Sequence, residues 1–137
     1  MSGSGIEATV RALVAERVHG YEQLEALLFL RACPTEDCTP EGVAAALRIP
    51  VESATAALED LVKRGLVSAR ESGPHAYRFD PATPELRAAV AGLERAYAEQ
   101  RLAVIKLLSD HAIERLRTGA TRAFADSFLI GRRKNDR

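Results

Sequence analysis

The stretch TPEGVAAALRIPVESATAALEDLVKRGLV, residues Thr39–Val67, decides the fold. It reads as two short helices joined by a tight turn. Thr39 is a good N-cap, and Pro40 stands in the first helical turn, where a missing N–H is tolerated. Val43, Ala46 and Leu47 then make an apolar stripe at helical spacing. Ile49-Pro50 interrupts that helix, because the residue before proline is pushed out of the α region. A second helix, from about Val51 to Arg64, is expected to bury Ala54, Ala57, Leu58, Leu61 and Val62. Lys63 and Arg64 suit its C-terminal dipole, and Gly65 supplies a left-handed residue beyond it. The plan is helix, turn, helix.

Two short runs follow, Leu66 to Glu71 and Ala76 to Asp80. Both alternate and are rich in β-formers, and Ser72-Gly73-Pro74-His75 between them is turn chemistry. A second helix followed at once by a hairpin is the order of a winged helix. The string LEDLVKRGLV resembles the end of the second helix and the start of the wing in MarR-like bacterial transcriptional regulators. The resemblance spans about Tyr21 to Asp80. It implies a mostly α fold with a small β-hairpin wing, a winged helix-turn-helix plus C-terminal dimerisation helices. The expected organisation is an N-terminal helix over 1–20, a winged helix-turn-helix domain over 21–80, and a C-terminal helical dimerisation region over 81–137.

A chain of 137 residues with 47% apolar content can bury a real core, so it is not disordered. No apolar run approaches the ~20 residues of a membrane span, and MSGSGIEATV lacks the pattern of a secretory signal. The expected location is the cytoplasm. Ser2–Gly5 reads as a flexible lead-in.

Net charge is zero but unevenly spread. Residues 21–80 hold ten acids and six Lys/Arg, giving −4, whereas 81–137 hold seven acids and eleven Lys/Arg, giving +4. Nucleic-acid binding relies on Lys/Arg neutralising phosphates, so an acidic reading domain argues against the simplest DNA-binding account.

Ile6, Val10, Leu13, Val14 and Val18 recur at helical spacing and predict a helix ending near Gly20. A leucine-dense helix then runs from Tyr21 to Cys33-Pro34. Cys33 and Cys38 flank the next loop. Their spacing is wider than C-x-x-C, and His19, His75 and His111 are scattered singly, so reduced thiols are expected and no metal. After Asp80, Thr83 and Pro84 start a helix in which Leu86, Val90, Leu93, Tyr97, Val104 and Leu107 fit alternating steps of four and three, with Gln100 as a polar seam position. That pattern predicts a coiled-coil-like pairing and a homodimer. Leu102, Ile105 and Leu108 give the same helix a second apolar side. Ser109-Asp110 offers a break, and a last helix is expected from His111 to about Phe128, with a short basic tail over Gly131–Arg137.

No glycine-rich phosphate loop, nucleophile elbow or paired metal-binding histidines are visible, so no catalytic residue and no cofactor are assigned. What remains is recognition. The positions expected to be exposed on the second helix are Glu52, Ser53, Thr55, Ala56 and Glu59. Ser53 and Thr55 can donate to double-stranded DNA, and Arg48, Lys63, Arg64, Arg70 and Arg78 form a candidate backbone-contacting set. Ala56 stands where MarR-like proteins often carry a longer polar or basic side chain, and Glu52 is repelled by phosphate although a glutamate can accept from cytosine N4. Two classes therefore stay open, a dimeric DNA-binding transcriptional regulator and a winged-helix module that binds a protein partner through its acidic face. A sensor binding a small molecule in a cleft overlaps the first.

Overall fold

The computed structural model describes residues 6–33, 37–70 and 76–135, with side chains described up to Gly119. The lead-in, Glu71 and the wing turn Ser72–His75, and the last two residues of the tail lie outside the described residues.

Among the described residues, six helices and a hairpin follow in the order α1 (Ala8–Arg17), α2 (Tyr21–Ala32), α3 (Pro40–Leu47), α4 (Val51–Lys63), β1 (Val67–Ala69), β2 (Tyr77–Phe79), α5 (Pro84–Glu99) and α6 (Arg101–Asn135). The start signals work as their chemistry requires. Thr39 Oγ1 accepts from the Gly42 N–H at 3.0 Å, and Thr83 Oγ1 accepts from the Leu86 N–H at 3.1 Å. Each cap satisfies one backbone donor that the first helical turn leaves without an intrahelical partner.

The turn between α3 and α4 is tight because Arg48 adopts the left-handed region (φ 60°, ψ 48°) and its N–H returns to Ala44 O. Gly65 does the same after α4 at φ 81°. There its lack of a Cβ removes the strain that Arg48 bears.

α2 and α3 pack on α4, and the hairpin closes one side of that group. β1 and β2 are antiparallel, with Val67 opposite Phe79, Ser68 opposite Arg78 and Ala69 opposite Tyr77. Alternation turns Val67, Tyr77 and Phe79 inward, where all three are buried. A bridge from Cys38 to Tyr77 adds a single extended residue to the far edge of β2.

α1 packs on α5 and α6, in the same continuous core as the helix-turn-helix. Gly92 makes this approach possible. A Cβ placed there would stand 3.1 Å from Val10 Cγ2, tighter than ordinary van der Waals contact. The N-terminal helix thus forms one wall of the C-terminal helical layer.

Two expectations for this region are corrected. The helix that starts at Pro84 does not run to Ser109. It ends at Glu99, because Gln100 takes a non-helical conformation (φ −137°, ψ 56°). α6 then continues through Ser109-Asp110 without a break, and Asp110 accepts from Lys106 Nζ one turn earlier at 2.9 Å. The bend at Gln100 is tied down from outside. Tyr97 Oη donates to Glu25 at 2.7 Å, Arg101 donates to Tyr21 Oη at 2.9 Å, and the Arg101 guanidinium lies 4.8 Å from the Tyr97 ring centre.

The bend also changes what the heptad positions do. Val90, Leu93 and Val104 are fully buried in the chain's own core, and Leu107 nearly so. Leu86 and Tyr97 pack at its edge. The seam drawn from the sequence is therefore covered by this chain itself. Leu102, Ile113 and Leu116 of α6 point the other way, and Leu102 and Leu116 are 81% and 73% exposed.

Candidate nucleic-acid interface

α4 presents an outer face of Val51, Glu52, Ala56, Glu59 and Lys63, all exposed. Its inner face is Ala54, Ala57, Leu58 and Leu61, all buried, while Val62 is half-buried. Of the residues assigned to base or phosphate contact, Ser53 and Thr55 are half-buried at the edges of this face. Lys63 is the cation that the outer face of α4 itself carries. Between α4 and the start of α2 lies an open groove of about 710 Å³, lined by Tyr21, Glu22, Ser53, Ala56, Glu59 and Lys63 among others. Glu22 and Glu59 give it an acidic wall. Part of the negative balance of residues 21–80 thus lies on the outer side of α4.

The other cations stand at the margins of that face. Arg48 is exposed at the turn before α4. Arg70 and Arg78 occupy one face of the wing, since Arg78 lies directly opposite Ser68 and Arg70 is two residues further along the same strand direction. Both guanidiniums converge on Asp37. Arg78 Nε donates to Asp37 Oδ1 at 3.1 Å, and Arg70 donates to Oδ2. The arginine side chains remain 46% and 51% exposed whereas Asp37 is only 16% exposed, so the carboxylate is enclosed and the cations are not. A concavity of about 330 Å³ lined by Asp37, Ser68, Arg70, Arg78 and Asp80 lies here.

Arg64 is placed differently from the other candidates. It caps α4, is half-buried, and is engaged by its neighbours Asp60, His19 and Arg17. The structure therefore brings Arg70 and Arg78 together, sets Arg48, Ser53 and Thr55 along α4, and draws Arg64 towards the interior.

Asp37 was not singled out by the sequence, and its signal there is weak. It lies in a loop between two helices, and only the Cys38–Tyr77 bridge makes it a neighbour of the wing. Among the described residues no three His, Cys, Asp or Glu side chains are grouped to hold a metal ion. None of the described helices is long and apolar enough to cross a membrane.

Helix-turn-helix, hairpin and flanking helices together match known structures. The chain superposes on the homodimeric winged helix-turn-helix DNA-binding domain of Mb0332 from Mycobacterium bovis, a possible ArsR-family regulator, with a TM-score of 0.51. That match has 24% identity and covers 73% of this chain and 93% of that one.

This chain has the winged helix-turn-helix fold.

The same fold relates it to the MarR family transcription regulator SP03579, with a TM-score of 0.50, 23% identity, and coverage of 87% of this chain and 80% of that one. A variant of MepR from S. aureus bound to an oligodeoxyribonucleotide matches this winged helix with a TM-score of 0.50, 15% identity, and coverage of 85% and 88%. The winged helix expected after LEDLVKRGLV is thus the fold found. No protein-family model and no curated protein sequence matches the chain.

Proposed function

We propose that this winged helix is a DNA-binding transcriptional regulator that acts as a homodimer in the cytoplasm. The observation that carries the reading is the pair Arg70 and Arg78, gathered on one wing face by Asp37 and left half open to solvent. Asp37 is shared by both guanidiniums and Asp80 lines the same concavity, so the pair offers hydrogen-bond donors rather than a net charge. Each also keeps further N–H donors, because a guanidinium has five. Their task is to hold phosphates of the duplex backbone, with Arg48 doing the same at the other end of α4. Ser53 and Thr55 are the groups able to donate to base edges. Glu52 fits this scheme as an acceptor for a cytosine amino group, since a carboxylate elsewhere on this face is repelled by phosphate.

Dimerisation is assigned to the outer face of α6. Leu102, Ile113 and Leu116 fall within about 60° of one another around a 3.6-residue helix and leave their apolar surface uncovered. The inward positions, Val90, Leu93 and Val104, hold α5 and α6 on α1. They serve the dimer by fixing where that outer face stands.

A second reading is supported by the acidic groove. Glu22 and Glu59 beside exposed Tyr21 suit a basic protein segment, which makes the module a docking domain without DNA binding. A fluorescence-anisotropy titration separates the two readings. It compares DNA from around the protein's own gene with a scrambled duplex, at two salt concentrations. Tight, sequence-dependent binding with a steep salt slope supports the regulator. No binding at low salt overturns it and favours the docking module.

A further inference from the structure

A second cationic cluster lies at the C-terminal end of α4, beside α1 and α6. Arg17, at the end of α1, donates to the backbone carbonyl of Arg64. Arg64 Nη2 lies 3.1 Å from His19 Nδ1. Arg115 comes in from α6 and is half-buried. The nearby acid is Asp60, and it is partly occupied, since its Oδ2 accepts from Gln23 Nε2 at 2.7 Å. Its Oδ1 is 3.7 Å from Arg64 Nε, an ion-pair distance too long for a hydrogen bond.

Two nitrogen atoms in this cluster, Arg64 Nε and Arg115 Nη1, are buried with no hydrogen-bond acceptor among the described residues. A buried donor without an acceptor has lost its hydration and gained nothing in return, and for a charged group the loss is larger. Three guanidiniums against one carboxylate leave an excess of two positive charges.

We propose that this junction is a binding site for a small tetrahedral oxyanion of the phosphate class, with Arg17, Arg64 and Arg115 as its ligands and His19 at its edge. A dianion balances the excess charge of the three guanidiniums over Asp60. Guanidinium forks match phosphate oxygens in pairs, which a lysine cannot do. The site stands about 18 Å along α4 from Glu52, by the helical rise, so the groove-reading end of that helix does not include it. A bound anion ties α1, α4 and α6 to one another. The proposal stands whether or not the wing binds DNA.

His19 reports on occupancy. Its pKa is held below the ordinary histidine value, first by burial and then by Arg115 and Arg64, against the opposing pull of Asp60. Its own backbone N–H donates to Gln23 Oε1 at 2.8 Å. An anion between the guanidiniums offsets their effect, so the His19 midpoint rises.

The test is a titration of the full chain with inorganic phosphate, set against sodium chloride at matched ionic strength, followed by His19 ring resonances and thermal unfolding. The expected result is a saturable rise in both the His19 midpoint and the melting temperature, with affinity weakened about tenfold or more in Arg115→Gln. Arg115→Lys keeps the charge without the fork, and weakened phosphate binding in that variant, with its fold intact, supports the site. An identical response to chloride overturns the proposal, as does unchanged affinity in both variants. Displacement of phosphate by a DNA duplex also overturns it, because the cluster then serves backbone phosphate.

Discussion

Cys38 and Tyr77 exchange both backbone hydrogen bonds, N–H to C=O in each direction, at 2.8 Å. This one bridge fixes the α2–α3 loop to the wing and sets Asp37 against Arg70 and Arg78. With it, the wing carries a preset pair of cations and an enclosed counter-charge.

The role of the wing is tested by replacing Arg70 and Arg78 together with alanine. We expect weaker binding to every DNA sequence alike, because the phosphate backbone carries no base information. The log–log salt slope should fall by about 0.9 for each phosphate that the variant no longer neutralises. Both quantities come from anisotropy titrations at several salt concentrations. Unchanged affinity removes the wing from the interface.

Asp37→Asn separates the counter-charge from the cations. The asparagine fills the same space and still accepts through its carbonyl, but it no longer cancels one positive charge. Non-specific affinity should rise a few-fold at low salt, with a steeper slope by about 0.9 if the released charge engages one further phosphate. A loss of affinity instead means that Asp37 serves mainly to aim the arginines.

The two apolar sides of the C-terminal helices should respond differently to charge. Leu93→Asp or Val104→Asp places a carboxylate in a fully buried site and should destabilise the fold by about 3 kcal/mol or more. Leu102→Asp combined with Leu116→Asp should leave the monomer's stability within roughly 0.5 kcal/mol per site, because both are exposed. Sedimentation then shows monomer for the exposed pair. A dimer that survives that double change moves the interface elsewhere.

Tyr97 gives an alkaline signature. Burial first, then its hydrogen bonds to Tyr21 and Glu25, and then the Glu25 charge hold its hydroxyl well above the ordinary phenol value of 10.0. The folded state thus keeps a proton that the unfolded state releases. This contribution to stability is fully present below pH 10 and is lost as pH rises from there towards the folded value. Denaturant unfolding of Tyr97→Phe should show a shallower loss of stability above pH 10. Equal slopes for the two proteins rule out this linkage.

Much of the helix-turn-helix was legible because its signals are local. Thr39-Pro40, Ile49-Pro50 and Gly65 act within one or two residues of the backbone they control, through capping, steric exclusion and the left-handed region. The stripe Ala54, Ala57, Leu58, Leu61 could bury only one way once the helix formed. The alternating runs after Gly65 pointed to the wing for the same reason, with each strand fixed by its own pleat.

Long-range placement was decided by the tertiary structure. Positions Val90 to Leu107 keep a heptad spacing that suits a partner helix, and spacing alone does not say whose helix that is. Val10 meeting Gly92 settles it in favour of α1 of the same chain, and the bend at Gln100 lets α5 and α6 both reach it. The meetings of Asp37 with Arg70 and Arg78, and of Arg64 with His19, span 33 to 45 residues of sequence. No periodicity encodes such pairs. Residue order determined which elements form and which faces are apolar. Folding in three dimensions determined which charges meet, because electrostatic neighbours are set by distance through space rather than along the chain.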